Sequence, residues 1–383
     1  MSTTSGSPSG ASLRPIGVLD LAAERGELGP ALEEAVLRVL RSGQYVLGPE
    51  VERFERDFAA YCGVKHGVAV STGTEALTLG LLALGVQRGD AVVTSPFTFF
   101  ASAGTVAWIG AVPRLADVEL DTGLLDPARA AAAVDGRTRA LLPVHLYGQL
   151  ADMAAFRALA DAKGLALLED GAQAHGATRA GAHCGAIGDA GTFSFYPTKN
   201  LGAAGEGGLV VTNRDETARA LRELRDHGSA VKYRHARVGT NARMQAVQGA
   251  VLNVKFPHLE RWNASRRALA ARYDAAFRGS ASVRPLARVA GGVHVFHQYT
   301  VRVLSGRRDA VQQALGQRGI GSGVHYPLPV HLQEAARGWG YGPGDFPNAE
   351  RLAREVLCLP IHPFLAPGDV DRVAEAVLEL AGD

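Results

Sequence analysis

Between residues 67 and 212, short apolar runs alternate with stretches of helical periodicity: GVAV (67–70), AVVT (91–94), ALLPV (140–144), LALLE (165–169), TFSF (192–195) and LVVT (209–212). Brief apolar runs separated by amphipathic helices predict a parallel sheet covered by helices. The last two runs break that rhythm. They are joined by YPTKNLGAAGEGG, which has little helical pattern and predicts a mixed sheet with a loop of special geometry. From Arg243 the period becomes helical, with Val247, Val251, Val254 and Leu259 apolar and a kink expected at Pro257. After it, VHVFHQYTVRVL, a helical stretch beyond Arg307, GIGSGVHYPLPV and a final helix from Pro367 compose a second, smaller α/β unit. The expected organisation is a disordered N-terminal arm (1–15), a large domain (16–260) and a small C-terminal domain (261–383).

Composition narrows the class. A chain of 383 residues, 47% apolar and 20% charged, is that of a globular protein of two associated domains. Net charge is +2 and the basic residues form no long run, which argues against nucleic acid as a partner. No apolar run approaches the ~20 residues needed to cross a bilayer, so no membrane partner is expected. MSTTSGSPSGASLRP lacks the charged and apolar regions of a secretory signal. Cys62, Cys184 and Cys358 are few, odd in number and far apart, giving neither a disulfide framework nor a metal pair and implying a cytoplasmic location. No G-x-G-x-x-G opens the first helix and no H-E-x-x-H occurs, so nicotinamide chemistry and zinc hydrolysis fit poorly, and no metal is expected.

Candidate chemistry gathers at the strand ends. A Schiff-base enzyme needs a lysine deprotonated in a dry site, and the chain has five lysines against thirty-five arginines. Lys163 ends a helix, Lys255 sits on the bridging helix, and Lys65 and Lys232 have the surroundings of solvated residues. Lys199 directly follows TFSF, where α/β sheets bind ligands; the alternative is a surface loop lysine. Asp170 ends LALLE and should emerge into the same crevice, either to meet a cation such as a protonated pyridine nitrogen or to cap the next turn. Gln173 could pack against a ring or bond its phenolic oxygen, and His175 is equally readable as structural. Ser71-Thr72-Gly73-Thr74-Glu75 precedes a helix expected from Ala76, and its free amides suit a phosphate, although Thr74 is also readable as an N-cap. Ser194 would add a hydroxyl. Phe99 is placed to stack on a cofactor ring or, alternatively, to fill the core.

EDGAQAHGA (169–177) and GTFSFYPTKNLGAAGEGGLVVTN (191–213) resemble the DegT/DnrJ/StrS family of sugar aminotransferases. The resemblance spans nearly the whole chain and includes YVLGPEVERFE, STGTEAL, SPFTFFA, PVHLYGQ, GTNARMQAVQGAVLNVK, HYPLPVHLQ and LCLPIHP. It implies an α/β fold of the aspartate aminotransferase type, with a mainly parallel seven-stranded sheet in the large domain and a smaller α/β domain. It further implies pyridoxal 5'-phosphate as cofactor, a homodimer, a nucleotide-linked keto sugar as substrate and glutamate as amino donor. By resemblance Lys199 is the Schiff-base lysine and Asp170 the pyridine partner; Gly73, Thr74 and Ser194 hold the phosphate, Phe99 and Gln173 flank the ring, and Asn241 reaches the neighbouring subunit's cofactor. The QAH form of the motif resembles enzymes acting on 3-keto more than 4-keto sugars.

One departure is Gly171, where the family usually has alanine; it is expected to add freedom beside Asp170. His325, Tyr326 and His331 in HYPLPVHLQ are candidates to close over the sugar, or else histidines of a rigid loop pointing to water. Arg222, Arg225, Lys232, Arg234 and Arg237 either attract a nucleotide diphosphate or line a solvated face. A ketocyclitol aminotransferase and a non-catalytic sensor or scaffold are the alternative functions; retention of Lys199, Asp170 and Gln173 disfavours the latter.

Overall fold

A computed structural model describes residues 14–383; most of the expected arm, residues 1–13, lies outside the described residues. The apolar runs form one seven-stranded sheet. From edge to edge its strands are His66–Val70, Gly208–Thr212, Ala190–Ser194, Ala166–Asp170, Thr138–Leu142, Ala91–Thr94 and Val112–Leu115. Gly208–Thr212 is antiparallel to both neighbours and every other pairing is parallel. The expected mixed sheet is therefore present, with its reversal at the strand that follows the glycine loop.

Alternation along each strand divides the core between two faces. Leu167, Phe193 and Val211 meet Phe54, Phe58 and Leu252 on one side, while Leu168, Ala190 and Val210 meet Leu77, Leu81 and Leu221 on the other. The helix Ala246–Lys255 passes through a 3₁₀ turn at Phe256–His258, where Pro257 removes a donor, into Leu259–Ala276. The latter helix packs on a second, antiparallel sheet of Val283–Pro285, Tyr299–Val303 and Val356–Leu359, together with Pro367–Ala381. Ile16 joins this smaller core: its N–H donates to Gly319 O at 2.8 Å and its carbonyl accepts from Gly321 N at 2.7 Å. The start of the expected large domain thus packs with the C-terminal unit. Among the described residues no helix is long and apolar enough to cross a membrane.

Candidate active site

The parallel strands end on one side of the sheet, and there a cavity of about 560 Å³ opens between the two cores. Lys199 lines it, on a turn closed by its N–H donating to Tyr196 O at 2.9 Å. The next residue fastens the turn: Asn200 Nδ2 donates to Asn263 Oδ1 at 2.8 Å and to Val295 O at 2.9 Å. Burial draws the Lys199 amine down to about 8, while the charge of Asp170 pulls in the opposite direction. Lys255, expected to be a helix lysine, is buried too, but it is ion-paired with Glu24. Lys199 has no such partner among the described residues.

Asp170 is 4% exposed and faces the same cavity. Its Oδ2 accepts from Ser102 Oγ at 2.8 Å and its Oδ1 from Ala172 N at 3.1 Å. Ser102, itself buried, is bonded to Thr98 Oγ1 at 2.9 Å. Gly171 is set by space. A Cβ there would lie 2.6 Å from Cys184 Sγ and 3.0 Å from Thr192 O, so the glycine permits close packing rather than the added freedom expected.

The helix expected from Ala76 begins at Gly73, and its N-cap is Thr72, whose hydroxyl accepts from Glu75 N at 3.0 Å. Thr74 is therefore in the first turn and is not the cap. Ser194 approaches that turn so closely that a Cβ on Gly73 would lie 2.5 Å from the Ser194 Cβ. Free amides and the Thr74 and Ser194 side chains consequently come together in the lining of the cavity.

In the same lining the polarity of Gln173 is fixed. Tyr147 N–H can only donate, so the atom it meets at 2.6 Å is Gln173 Oε1, and Nε2 must face Tyr326 Oη, at 3.2 Å. The Tyr326 hydroxyl accepts there and keeps its proton for another partner. Tyr147 is buried with φ 62°, and its own hydroxyl donates to His325 O, tying the turn after the Thr138–Leu142 strand to the His325–Tyr326 loop. Phe99 is 58% exposed, which excludes the core reading; its ring lies 6.1 Å from that of Tyr326.

Three histidines lie near the lysine, and burial disfavours the charged form of each. His175 is pushed down to about 3 by burial and then by Lys199; it sits among Phe58, Phe193 and Phe195 with both ring nitrogens unpartnered. His297 is lowered well below the usual histidine range by burial, Lys199 and Arg266, and His325 is lowered by burial and Lys199.

Some expected residues lie elsewhere. His331 neither reaches the cavity nor points to water: it is buried against Phe346 and meets Glu350 Oε1 at 3.2 Å. Asn241 does not line its own chain's cavity; it is exposed and accepts from Arg243 Nε at 3.0 Å. The basic stretch does not line its own chain's cavity either. Arg225 is buried against Glu55 at 2.5 Å, and Arg237 pairs with Glu223 at 2.8 Å. Ser102, Tyr147 and His297 line or support the cavity and were not singled out; only PVHLYGQ, which contains Tyr147, carried a signal. A buried trio, His145, Glu169 and Cys184, has the composition of a metal site. Yet His145 Nδ1 accepts from Ala151 N at 3.1 Å, so Nε2 carries the proton donated to Glu169 at 2.9 Å, and no histidine lone pair remains for a metal.

Residues 27–378 match the model of the DegT/DnrJ/EryC1/StrS aminotransferase family. The chain belongs to that family. A Geobacillus stearothermophilus relative named pleiotropic regulatory protein is 45% identical over 365 residues, covering 94% of this chain and 97% of its own. The dTDP-3-amino-3,4,6-trideoxy-alpha-D-glucose transaminase of Streptomyces venezuelae is 46% identical over 363 residues, 95% of each chain. The crystal structure of S. venezuelae DesV in complex with a ketimine intermediate superposes with a TM-score of 0.94 at 45% identity, over 97% of this chain and 100% of that one. This family member is an aminotransferase dependent on pyridoxal phosphate, with the fold its sequence resemblance implies. Its crevice fits the cofactor. A cradle of free amides, which a Cβ at Gly73 would fill, suits the phosphate; a buried carboxylate suits the ring nitrogen; and a lysine with no ion-pair partner among the described residues lines the same cavity.

Proposed function

We propose that this aminotransferase moves the amino group of glutamate onto a nucleotide-linked keto sugar, with 3-keto preferred over 4-keto substrates, as a cytoplasmic homodimer whose active sites are shared. The observation that carries the reading is the single cavity faced by the unpaired Lys199, the buried Asp170 and the Gly73 helix start. The name of the Streptomyces venezuelae relative, a 3-amino sugar transaminase, supports the position of amination.

In this reading Lys199 anchors the cofactor covalently through Nζ, Asp170 faces its ring nitrogen, and Gly73, Thr74 and Ser194 hold its phosphate. Phe99 and Gln173 flank the ring. Bound pyridoxal phosphate supplies an electron sink for the C–H bond broken beside the amino nitrogen. The chain supplies the proton path. Lys199 Nζ, once free, would carry the proton from the donor carbon to the cofactor carbon that receives it, and its burial favours the neutral amine this requires. Ser102 and Ala172 keep the Asp170 carboxylate aimed into the cavity. Gln173, oriented by Tyr147, leaves the Tyr326 hydroxyl proton free for the sugar or the cofactor. His325 and Tyr326 approach the sugar from the smaller unit. Asn241, exposed on its own chain, is assigned to the phosphate of the partner subunit's cofactor.

The test is the pyridoxamine form of the enzyme mixed with nucleotide-linked 3-keto sugars, 4-keto sugars and ketocyclitols. Return of the lysine-bound absorbance with a 3-keto sugar alone is the expected result. Turnover of the ketocyclitol alone would replace the substrate, and no turnover of any keto compound, despite bound cofactor, would favour a regulatory role such as the Geobacillus relative's name suggests.

A further inference from the structure

A second cavity of about 190 Å³ adjoins the first and shares Thr198, His297, Gln298 and His325 with it. Its charge comes from Arg266, on the helix Leu259–Ala276, a side chain that is 3% exposed. Both of its hydrogen bonds are made by Nη1, to Ile361 O at 2.7 Å and Phe296 O at 3.1 Å. Nε is buried without a partner. Among the described residues no carboxylate is ion-paired with it, and the nearby acid Glu24 is already taken by Lys255. A buried guanidinium is costly unless an anion meets it. Nε is closed off within the protein, which leaves Nη2, the guanidinium nitrogen that makes no hydrogen bond, as the charged donor a carboxylate in the cavity would meet. Burial has already drawn this guanidinium down to about 10, and the neighbouring His297 and His362 are held neutral, with Arg266 contributing to each. Among the described residues the cavity thus holds one strong cation and no anion, and its lining includes Thr198, the residue before Lys199.

We propose that Arg266 binds the side-chain carboxylate of the amino donor, so that an acidic amino acid enters the smaller cavity while its amino group faces Lys199. The inference rests on the reading above that the donor is glutamate. It adds the residue that would select an acidic donor over a neutral one.

The donor half-reaction can be read without any sugar. Holoenzyme is mixed with L-glutamate and conversion to the pyridoxamine form is followed by absorbance; the sugar half-reaction is then run from preformed pyridoxamine enzyme. Arg266→Lys keeps a cation and loses the planar Nη2 donor. Its KM for glutamate should rise by about tenfold or more, the worth of a charge-assisted hydrogen bond, with the sugar half-reaction unchanged. Glutarate, which has both carboxylates and no amine, should compete with glutamate in the wild type and lose that ability in the variant. Ser322→Asp places an anion in the same cavity without touching Arg266 and should have the same selective effect, which keeps the test alive where Arg266→Lys does not fold. Equal slowing of both half-reactions, or an unchanged glutamate KM in a folded variant, would overturn the proposal. Failure of the wild type to react with glutamate at all would instead overturn the choice of donor.

Discussion

The state of the Lys199 amine can be measured in the cofactor-free enzyme. Burial brings it from 10.5 to about 8, even though Asp170 favours the ammonium. At pH 7.5 this leaves roughly a quarter of the chains with a neutral, nucleophilic amine, against about one in a thousand for a solvated lysine, a gain of roughly 200-fold. The same difference acts on stability. Below pH 8 both native and unfolded chains carry the proton and the native state bears the full desolvation cost. Between about pH 8 and 10.5 the unfolded chain binds a proton that the native chain does not, so stability rises with pH, by up to about 3 kcal/mol from this group. The assay is reconstitution of the apoenzyme with pyridoxal phosphate between pH 6.5 and 10, each rate divided by that of Nα-acetyl-lysine to remove the cofactor's own ionisations. The advantage over the free amine should be largest at low pH and fade above 8. Asp170→Asn removes the charge that favours the ammonium and should move the midpoint below 8. A midpoint near 10, or one that rises in Asp170→Asn, would refute the reasoning.

Three further perturbations address different parts of the site. Gly73→Ala drives a Cβ to 2.5 Å from the Ser194 Cβ and should weaken cofactor binding about tenfold or more, read by titration of the apoenzyme, with a smaller effect on its thermal unfolding. Glu169→Gln puts an amide where a carboxylate accepts from Gly185, Ile187 and Gly188 N–H and from His145; urea denaturation should show a loss of about 3 kcal/mol. If Asn241 serves the partner's site, mixing Lys199→Ala with Asn241→Ala chains should restore activity, because one site of a mixed dimer then has both residues intact; a confirmed mixed dimer without recovery would count against sharing.

How much was legible depended on whether a residue's surroundings lie near it in sequence. The expected apolar runs became strands within one or two residues because each is buried on both faces. Val112–Leu115 was missed: Pro113 and Arg114 interrupt the apolar pattern, which an edge strand tolerates because only alternate residues are buried. Lys199 and Asp170 were legible because a strand end fixes the direction in which the chain leaves the sheet. His331 and Arg225 were not. Their partners, Glu350 and Glu55, lie 19 and 170 residues away, and no local pattern announces such a pairing. Ser102 was invisible for the same reason, since its meaning is a bond to Asp170, 68 residues distant.

The adjacent acids Glu169 and Asp170 show how little sequence distance separates structure from chemistry. Both are buried, at 0% and 4% exposure, and alternation along one strand turns them to opposite faces. Glu169 meets three backbone N–H groups and His145, so its acceptor capacity is consumed in fastening the loop around Cys184. Asp170 meets two donors, Ser102 and Ala172, and its remaining capacity faces the cavity. A carboxylate in that position is costly until a cation arrives. In the proposed reading the ring nitrogen of the cofactor would supply that cation, and filling the site would then compensate Asp170 and lessen its pull on the Lys199 amine. Glu169, fully bonded already, offers nothing comparable, and a shift of register by one residue would exchange the two roles and empty the site of its chemistry.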